Sequence, residues 1–213
     1  LYTRLDMMER AAYALLSEEQ MVDSTLDQKE LLIQTYADAG IAVESMEKNW
    51  GFINNLFKVL PLNASQYIGF LNFKGSLFNP ETCYLTNADK EMIGVVVSSV
   101  NCCSYCLTTH GDALRGYTKN PILVDKLSYN FRSAKDMLTE KQYALCEYAW
   151  YVTKHADEIE GDQIEKLRAV GFNDHEILEA AFVAGFFNYT NRWVSTIAPI
   201  ANPGHFSHNR NFD

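Results

Sequence analysis

Three cysteines and a histidine lie together in one short stretch of the chain, residues 101–111, with the sequence NCCSYCLTTHG. Cys103 and Cys106 are three residues apart, so on a helix both sulfurs would lie on one face. His110 follows Cys106 by four residues and would share that face. The thiolate is the reactive form of cysteine, and an imidazole can accept a thiol proton near neutral pH. The spacing therefore predicts a reactive dithiol with a base beside it.

The residues around the cysteines also predict where this helix begins. Asn101 is a favourable N-cap residue, so we expect the helix to start at Cys102 and to hold both sulfurs in its first turns. The N-terminus of a helix lowers the pKa of a CxxC cysteine from about 8.5 to roughly 3.5–7.5. We expect Cys106 to be the attacking thiol because His110 is one turn away. Cys103 is the alternative, because the N-terminal cysteine of other CxxC helices has the lower pKa.

A carboxylate on the preceding element is the candidate third member of this group. Residues 87–100 are typical of a helix capped by Thr86 or Asn87, and Glu91 lies on it, twelve residues before the first cysteine of the pair. If this helix packs against the cysteine helix, Glu91 could orient or deprotonate His110, as a third group orients the base in other activated nucleophiles. An acid in the first turns of a helix is also commonly a partner of the helix dipole, and spacing alone leaves both interpretations open.

Interpretations without redox chemistry also follow from these residues. A zinc site needs four ligands, and Cys103, Cys106 and His110 supply three. Cys102 could be recruited, but it lies about a hundred degrees around the helix from its neighbour. No second ligand pair appears later, because no CxxC or HxxxH spacing occurs among the other histidines: His155, His175, His205 and His208. We therefore expect no metal and no cofactor, and keep a zinc-binding or purely structural helical protein as the alternative.

Composition and charge narrow the class of protein. The chain has 213 residues, 47% of them hydrophobic, which is typical of a globular protein and enough for a sizeable core. Its net charge of −9 and pI of about 5.0 argue against a nucleic-acid partner, because no basic face is expected at such an imbalance. No apolar run reaches the length of a membrane span, so we expect no membrane partner.

The five cysteines predict the compartment. An odd number with three clustered differs from the framework of a secreted disulfide-rich domain, and the first residues show no signal-peptide pattern. A reducing cytoplasm fits, with a redox-active pair rather than structural bridges. The cysteines outside the pair are expected to be bystanders: Cys83, Cys102 and Cys146.

Helical periodicity runs through the sequence, and strand-like alternation bounded by hairpin turns does not, so we predict an all-α fold. Amphipathic patterns over residues 5–19 and from Asp23 to Gly40 predict an N-terminal helical extension, residues 1–43. This extension either covers the main domain or a neighbouring subunit, or has no functional role. Residues 44–213 are predicted to form the main domain.

The main domain shows clear signals for the ends of its helices. One helix is predicted over residues 44–60, before Pro61, and the cysteine helix is predicted to end at Gly116. Two capping boxes, Thr139–Gln142 and Asn173–Glu176, are predicted to begin long helices.

The spacing Glu-x11-Cys-x2-Cys-x3-His resembles the signature of the AhpD-like alkylhydroperoxidase and carboxymuconolactone decarboxylase superfamily. Further segments are similar to its peroxidase-related branch: residues 88–93 (ADKEMI), 113–115 (ALR), 171–178 (GFNDHEIL) and 186–192 (FFNYTNR). The resemblance covers about residues 49–199. A lone CxxC is a weak signal, whereas the acid, the two cysteines and the histidine at these spacings are a specific one.

The resemblance implies a helical bundle that pairs the Glu helix with the CxxC helix and assembles as trimers or hexamers. The implied activity is a thiol-dependent peroxidase whose catalytic residues are Glu91, Cys103, Cys106 and His110. A hydroperoxide is the implied substrate, the Cys103–Cys106 pair cycles to a disulfide, and an external dithiol of lipoyl or thioredoxin-like type is the reductant. Decarboxylases of the same superfamily do not depend on the CxxC pair, and such a non-redox enzyme is the alternative.

Two features qualify the resemblance. The founding alkylhydroperoxidases carry a second histidine where this chain has Tyr105, although tyrosine is common in the peroxidase-related branch. Tyrosine at this position removes one titratable group from the proton relay of the founding enzymes. The resemblance therefore implies neither fast peroxide turnover nor the same electron donors for this chain. Asn188, Asn191 and Arg192 match the branch pattern, and we expect them to line the pocket or to brace a subunit contact.

Overall fold

The computed structural model of the protein describes Lys48, residues 50–59 and residues 63–210. Every regular element in these residues is a helix, so the prediction of an all-α helical bundle is confirmed. None of these helices is both long enough and apolar enough to cross a membrane. The helices predicted over residues 5–19 and 23–40 lie outside the described residues, as does the predicted boundary at residue 43, which stays a prediction.

The chain divides into two compact units. Among the described residues, the small unit contains those up to Gly75 and Val194–Ser207, and the core unit contains Ser76–Trp193 and residues 208–210. Short 3₁₀ helices cover Phe131–Met137 and Ala156–Glu158. In chain order the α-helices are α1 Asn55–Val59, α2 Ala64–Leu77, α3 Asn87–Val100, α4 Ser104–Thr118, α5 Pro121–Tyr129, α6 Glu140–Lys154, α7 Gly161–Ala169, α8 Asp174–Ile197 and α9 Gly204–Ser207.

The small unit combines an apolar cluster with buried amide hydrogen bonds. Ile53, Phe57 and Tyr67 form the cluster. The backbone N–H of Asn55 donates to Oδ1 of Asn202 at 2.8 Å, which satisfies a donor at the start of α1. The side chain of Asn202, which is distant in sequence, therefore fixes where α1 begins.

The helix predicted over residues 44–60 is interrupted. Residues 51–54 leave the helical conformation before α1 starts. Gly51 has a φ of +76°, in the left-handed region that glycine enters without steric cost. The apolar spacing of the sequence continues across the break, which is why periodicity alone predicted one helix.

Helix α3 is the central element of the core unit and packs against α4, α5 and α6. Its N-cap is Thr86, whose hydroxyl accepts the backbone N–H of Asp89 at 3.1 Å. From Met92 to Val97 every residue is buried, so this part of the helix is covered on all sides. Packing around the whole helix therefore fixes the position of Glu91.

The two predicted capping boxes are confirmed. The backbone N–H of Glu176 donates to Oδ1 of Asn173 at 3.0 Å, and the N–H of Asn173 donates to Oε2 of Glu176 at 2.8 Å. Thr139 and Gln142 make the same reciprocal pair at the start of α6. The local sequence therefore determines where both long helices begin.

Helix α4 is longer than its sequence predicts. Gly116 lies inside the helix, and Lys119, with a φ of +52°, is the C-cap. The N–H of Lys119 donates to the carbonyl of Arg115 at 2.9 Å, so a lysine takes the left-handed position usually given to glycine. Gly116 instead faces Asn209, whose amide nitrogen would lie 3.5 Å from a Cβ at this position.

An ion pair lies inside the core unit near the start of α3. Lys90 is fully buried, and its Nζ lies 2.9 Å from Oε1 of Glu179 on α8. The other carboxylate oxygen accepts the backbone N–H groups of Tyr84 and Leu85. Burial opposes the charge on Glu179, but Lys90 and the two N–H donors outweigh it and hold the pKa of that carboxyl below its usual value. The pair ties α3 to α8 through charges that water scarcely reaches.

We expect Lys90→Met to lower the free energy of unfolding by roughly 3–5 kcal/mol, because Glu179 keeps a buried charge without its partner. Chemical denaturation followed by circular dichroism measures this loss. Adding Glu179→Gln should recover part of it, since no unpaired charge remains. The control is Lys126→Met, whose partner Asp136 is exposed, and which should change stability far less. Equal losses in the two lysine variants would contradict this account of the buried pair.

Candidate active site

The cysteine segment has a different helix boundary from the predicted one. The backbone N–H of Asn101 closes the last turn of α3, so Asn101 is the C-cap of that helix. Cys102 turns the chain with a φ of +54°, and α4 begins at Ser104 with Cys103 as its N-cap. The prediction that Asn101 caps a helix beginning at Cys102 is therefore wrong. The side chain of Asn101 is instead bonded to asparagines of α8.

Cys103 and Cys106 are joined by a disulfide at the N-terminus of α4, with Cα atoms 5.3 Å apart. The sulfur of Cys103 accepts the backbone N–H of Cys106 at 3.4 Å, as an oxygen does in an ordinary N-cap side chain. The exposed fractions of the two residues are 1% and 3%. Because a helix N-terminus stabilises a thiolate, this position favours negative charge on Cys103 when the disulfide is reduced.

The structure brings Glu91 and His110 into contact. Nδ1 of His110 on α4 lies 2.7 Å from Oε2 of Glu91 on α3. When the N–H at Nδ1 donates to the carboxylate, the lone pair of the imidazole is on Nε2, which can take a proton from a thiol. Cys106 lies one helical turn before His110, as their spacing predicts. The sequence thus places a disulfide, an imidazole and a carboxylate on two packed helices.

An aromatic ring from α8 supports the imidazole. Phe187 is fully buried, and its ring meets the ring of His110 edge to face with centroids 4.7 Å apart. The ring fits because residue 94 is glycine: a Cβ on Gly94 would lie 2.6 Å from it. The sequence alone indicates no role for Gly94 or Phe187. The available signal was an isolated glycine within the apolar run 92–97, since such a glycine often has a packing reason.

We expect Gly94→Ala to displace the Phe187 ring and to lower the free energy of unfolding. Overpacking costs about 1–3 kcal/mol, which opposes the gain of about 1 kcal/mol from the better helix former. Thermal unfolding measures the balance. Gly185→Ala on α8 is the control, because its Cβ would meet nothing within 4 Å, and it should be neutral or stabilising. If Gly94→Ala and Gly185→Ala raised the free energy of unfolding by the same amount, the contact with the Phe187 ring would not restrict the side chain at residue 94.

Solved structures identify the proteins that share this architecture. The chain is similar to an uncharacterized peroxidase-related protein from Silicibacter sp. TM1040, with 33% identity, a TM-score of 0.77 and coverage of 93% of this chain and 96% of the other. It is also similar to an alkylhydroperoxidase AhpD core protein, described as uncharacterized and peroxidase-related, from Ralstonia eutropha JMP134, with 30% identity, a TM-score of 0.75 and coverage of 79% and 87%. The chain belongs to the AhpD-like superfamily, in its peroxidase-related branch.

The AhpD-like fold also occurs in a more distant protein. The debrominase Bmp8, in complex with 2,3,4-tribromopyrrole, has 16% identity and a TM-score of 0.67, with coverage of 82% of this chain and 89% of the other. At this identity the likeness concerns the fold alone. No protein-family model and no curated protein sequence matches the chain.

The other cysteines of this AhpD-like chain have different environments. Burial, with a smaller contribution from the charge of Asp89, raises the pKa of the Cys146 thiol and keeps it protonated at neutral pH. The Cys83 thiol donates to the carbonyl of Leu77 at 3.3 Å, and Cys102 is exposed. Their role as bystanders stays a prediction. Among the described residues no group of three or more His, Cys, Asp or Glu side chains is placed to hold a metal ion.

The ALR segment, which resembles the peroxidase-related branch, anchors a later part of the AhpD-like chain. Arg115 is buried, and its Nε donates to the carbonyl of His208 at 3.1 Å. Asp112, one turn earlier, lies 3.3 Å from Nδ1 of His208 and accepts the amide of Asn209 at 3.3 Å. This part of the motif therefore contributes to packing of α4 against residues 208–209.

Proposed function

We propose that this AhpD-like protein is a thiol-dependent peroxidase, an oxidoreductase that reduces hydroperoxides through a dithiol–disulfide cycle. One observation carries the proposal: the disulfide lies one helical turn before a histidine that is itself bonded to a largely buried carboxylate. No cofactor or metal is required, because an external dithiol supplies the electrons. The proposed catalytic residues are Glu91, Cys103, Cys106 and His110.

The oxidative half of the cycle begins with the reduced pair. Nε2 of His110 takes the proton of the Cys106 thiol, directly or through a water, while Glu91 holds the imidazole at Nδ1. The Cys106 thiolate attacks the distal oxygen of the hydroperoxide, so the O–O bond breaks and a sulfenic acid forms on the sulfur. The alkoxide takes the proton from His110 and leaves as an alcohol. Two electrons have passed from the sulfur to the peroxide.

The disulfide then forms and is reduced again. The Cys103 thiolate attacks the sulfenic sulfur, and the hydroxide that leaves becomes water once protonated. A dithiol of lipoyl or thioredoxin-like type attacks Cys106, and Cys103 departs as a thiolate stabilised by its N-cap position. The second thiol of the reductant then completes the exchange, which restores both protein thiols and oxidises the reductant.

The setting of this reaction follows from the sequence and stays a prediction. We propose a hydroperoxide and a dithiol as partners, and no nucleic acid, given the net charge of −9. A trimer or hexamer and a reducing cytoplasm fit the superfamily and the clustered, odd-numbered cysteines. Sedimentation analysis of the purified chain would decide the oligomeric state.

The proposal is tested by adding one equivalent of cumene hydroperoxide to the reduced protein, blocking free thiols and mapping peptides by mass spectrometry. We expect two thiols to be lost, a Cys103–Cys106 linked peptide to form, and one equivalent of alcohol to be released. Dihydrolipoamide should then restore both thiols. Metal analysis of the same sample distinguishes the zinc-binding alternative. A protein that keeps its thiols while the peroxide remains would exclude the peroxidase.

A further inference from the structure

A network of side-chain amides holds the loop that carries the first redox cysteine. The side-chain nitrogen of Asn101 donates to Oδ1 of Asn188 at 3.0 Å and to Oδ1 of Asn191 at 3.2 Å, so both of its N–H bonds have acceptors. Asn101 is the C-cap of α3, and the other two asparagines lie on α8. The loop between α3 and α4 is therefore fixed to α8 at its first residue.

Asn191 extends this network to the backbone of the redox cysteine. Its exposed fraction is 1%, and its Nδ2 donates to Oγ of the fully buried Ser98 at 3.2 Å. The backbone carbonyl of Ser98 accepts the N–H of Cys103 at 3.1 Å. The buried side-chain amide of Asn191 thus positions Ser98, and the backbone carbonyl of Ser98 positions Cys103.

Asn188 connects the same network to α6. Its Nδ2 donates to Oγ1 of Thr153 at 3.1 Å and to the carbonyl of Ala184 at 3.0 Å. Nη1 of Arg192 donates to the carbonyl of Asn188 at 2.6 Å and to its Oδ1 at 3.0 Å. The amides of Asn188 and Asn191 each both donate and accept, and the network is buried at Asn191 and Ser98 and half-buried at Asn101 and Asn188. A satisfied network of this kind restricts the side chains that form it.

We infer that Asn191 is a positioning residue for the redox pair, and that Asn101 and Asn188 act with it. The network holds Cys103 where the disulfide requires it and thereby sets the reduction potential of the couple. This inference rests on the proposed function. Cys106 is fixed by α4 itself, whereas Cys103 precedes the helix and depends on the loop. Restricting the loop before the bond forms removes conformational freedom that closure would otherwise cost, so it stabilises the disulfide relative to the dithiol.

Asn191→Leu tests this inference, because leucine keeps the branch at Cγ and the number of side-chain heavy atoms but makes no side-chain hydrogen bonds. The folded variant and the wild type are equilibrated with dithiothreitol or glutathione redox buffers, and the fraction oxidised gives the equilibrium constant for disulfide formation. We expect the constant to fall roughly tenfold in the variant, equivalent to about 30 mV, so that its disulfide is reduced more readily.

Asn120→Ala is the matched control. Oδ1 of Asn120 accepts the N–H of Leu123 at 3.1 Å and caps α5, so its removal weakens the core unit without touching the amide network. The equilibrium constant should stay at the wild-type value. If Asn191→Leu does not fold, Asn101→Ala removes the other end of the network and should lower the constant in the same direction.

A constant within twofold of the wild type in the folded variant, an increase, or an equal fall in Asn120→Ala would overturn the inference. The measurement uses no hydroperoxide, so it gives an answer even if the protein proves not to be a peroxidase. The opposite result is also possible: the wild type reduces cumene hydroperoxide, and Asn191→Leu has the wild-type reduction potential. The proposed function would then stand, and the positioning role of Asn191 would be excluded.

Discussion

Cys106→Ser is expected to stop hydroperoxide reduction, with the rate falling on the order of a thousandfold or more, because the chain loses its nucleophile. Cys103→Ser should behave differently. Its Cys106 thiol can still react once, so the variant should consume one equivalent of hydroperoxide per chain and then stop, since the Cys103 thiol that condenses with the sulfenic acid is missing. Dimedone labelling followed by mass spectrometry should detect that sulfenic acid on Cys106.

This expected difference between Cys106→Ser and Cys103→Ser would identify Cys106 as the attacking thiol. Cys106 lies one turn from the imidazole of His110, whose other nitrogen is held by a carboxylate. Cys103 has the N-cap position, which suits the thiolate that leaves when the disulfide is reduced. The control is Cys102→Ser, an exposed neighbour that should keep the wild-type rate. A sulfenic acid trapped on Cys103 in the Cys106→Ser variant would reverse the assignment, and full turnover in both variants would exclude a dithiol cycle.

Local signals in the sequence predicted much of the fold. The capping boxes at Thr139 and Asn173 begin helices where they were expected, because a cap depends on residues three positions apart. Spacing alone left the role of Glu91 open, and the resemblance to the superfamily implied that its helix pairs with the CxxC helix. In the structure Oε2 of Glu91 lies 2.7 Å from Nδ1 of His110. The catalytic role of both residues stays a prediction.

Contacts between distant parts of the chain were not predictable in this way. Asn101 has the local preference of an N-cap residue, but its amide bonds to side chains 87 and 90 positions later, and this tertiary network determines its place. The approach of Phe187 to Gly94 likewise joins two helices that no short-range pattern relates. Sequence could mark an unusual glycine or a polar group in an apolar helix, but not the partner that explains it.

Glu91→Gln is expected to slow the reaction of Cys106 with hydroperoxide by about a hundredfold. The amide oxygen can still accept from Nδ1–H, so the orientation of the His110 ring survives. The negative charge that stabilises the protonated imidazole is lost, and His110 takes the thiol proton less readily. Stopped-flow measurement of a single turnover across a range of pH gives the effect. Glu147→Gln on α6 changes a half-exposed carboxylate and should keep the wild-type rate.

The double variant Glu91→Gln/His110→Gln decides whether the two groups form one relay. Groups that act as a unit lose activity non-additively, because the carboxylate has nothing to orient once the imidazole is gone. We therefore expect the double variant to be no slower than His110→Gln alone. Losses that multiply would mean that Glu91 acts on the thiol independently of His110. If Glu91→Gln and His110→Gln both kept the wild-type rate but had lower melting temperatures, the 2.7 Å contact between Glu91 and His110 would have a structural role only. Solvent would then accept the thiol proton.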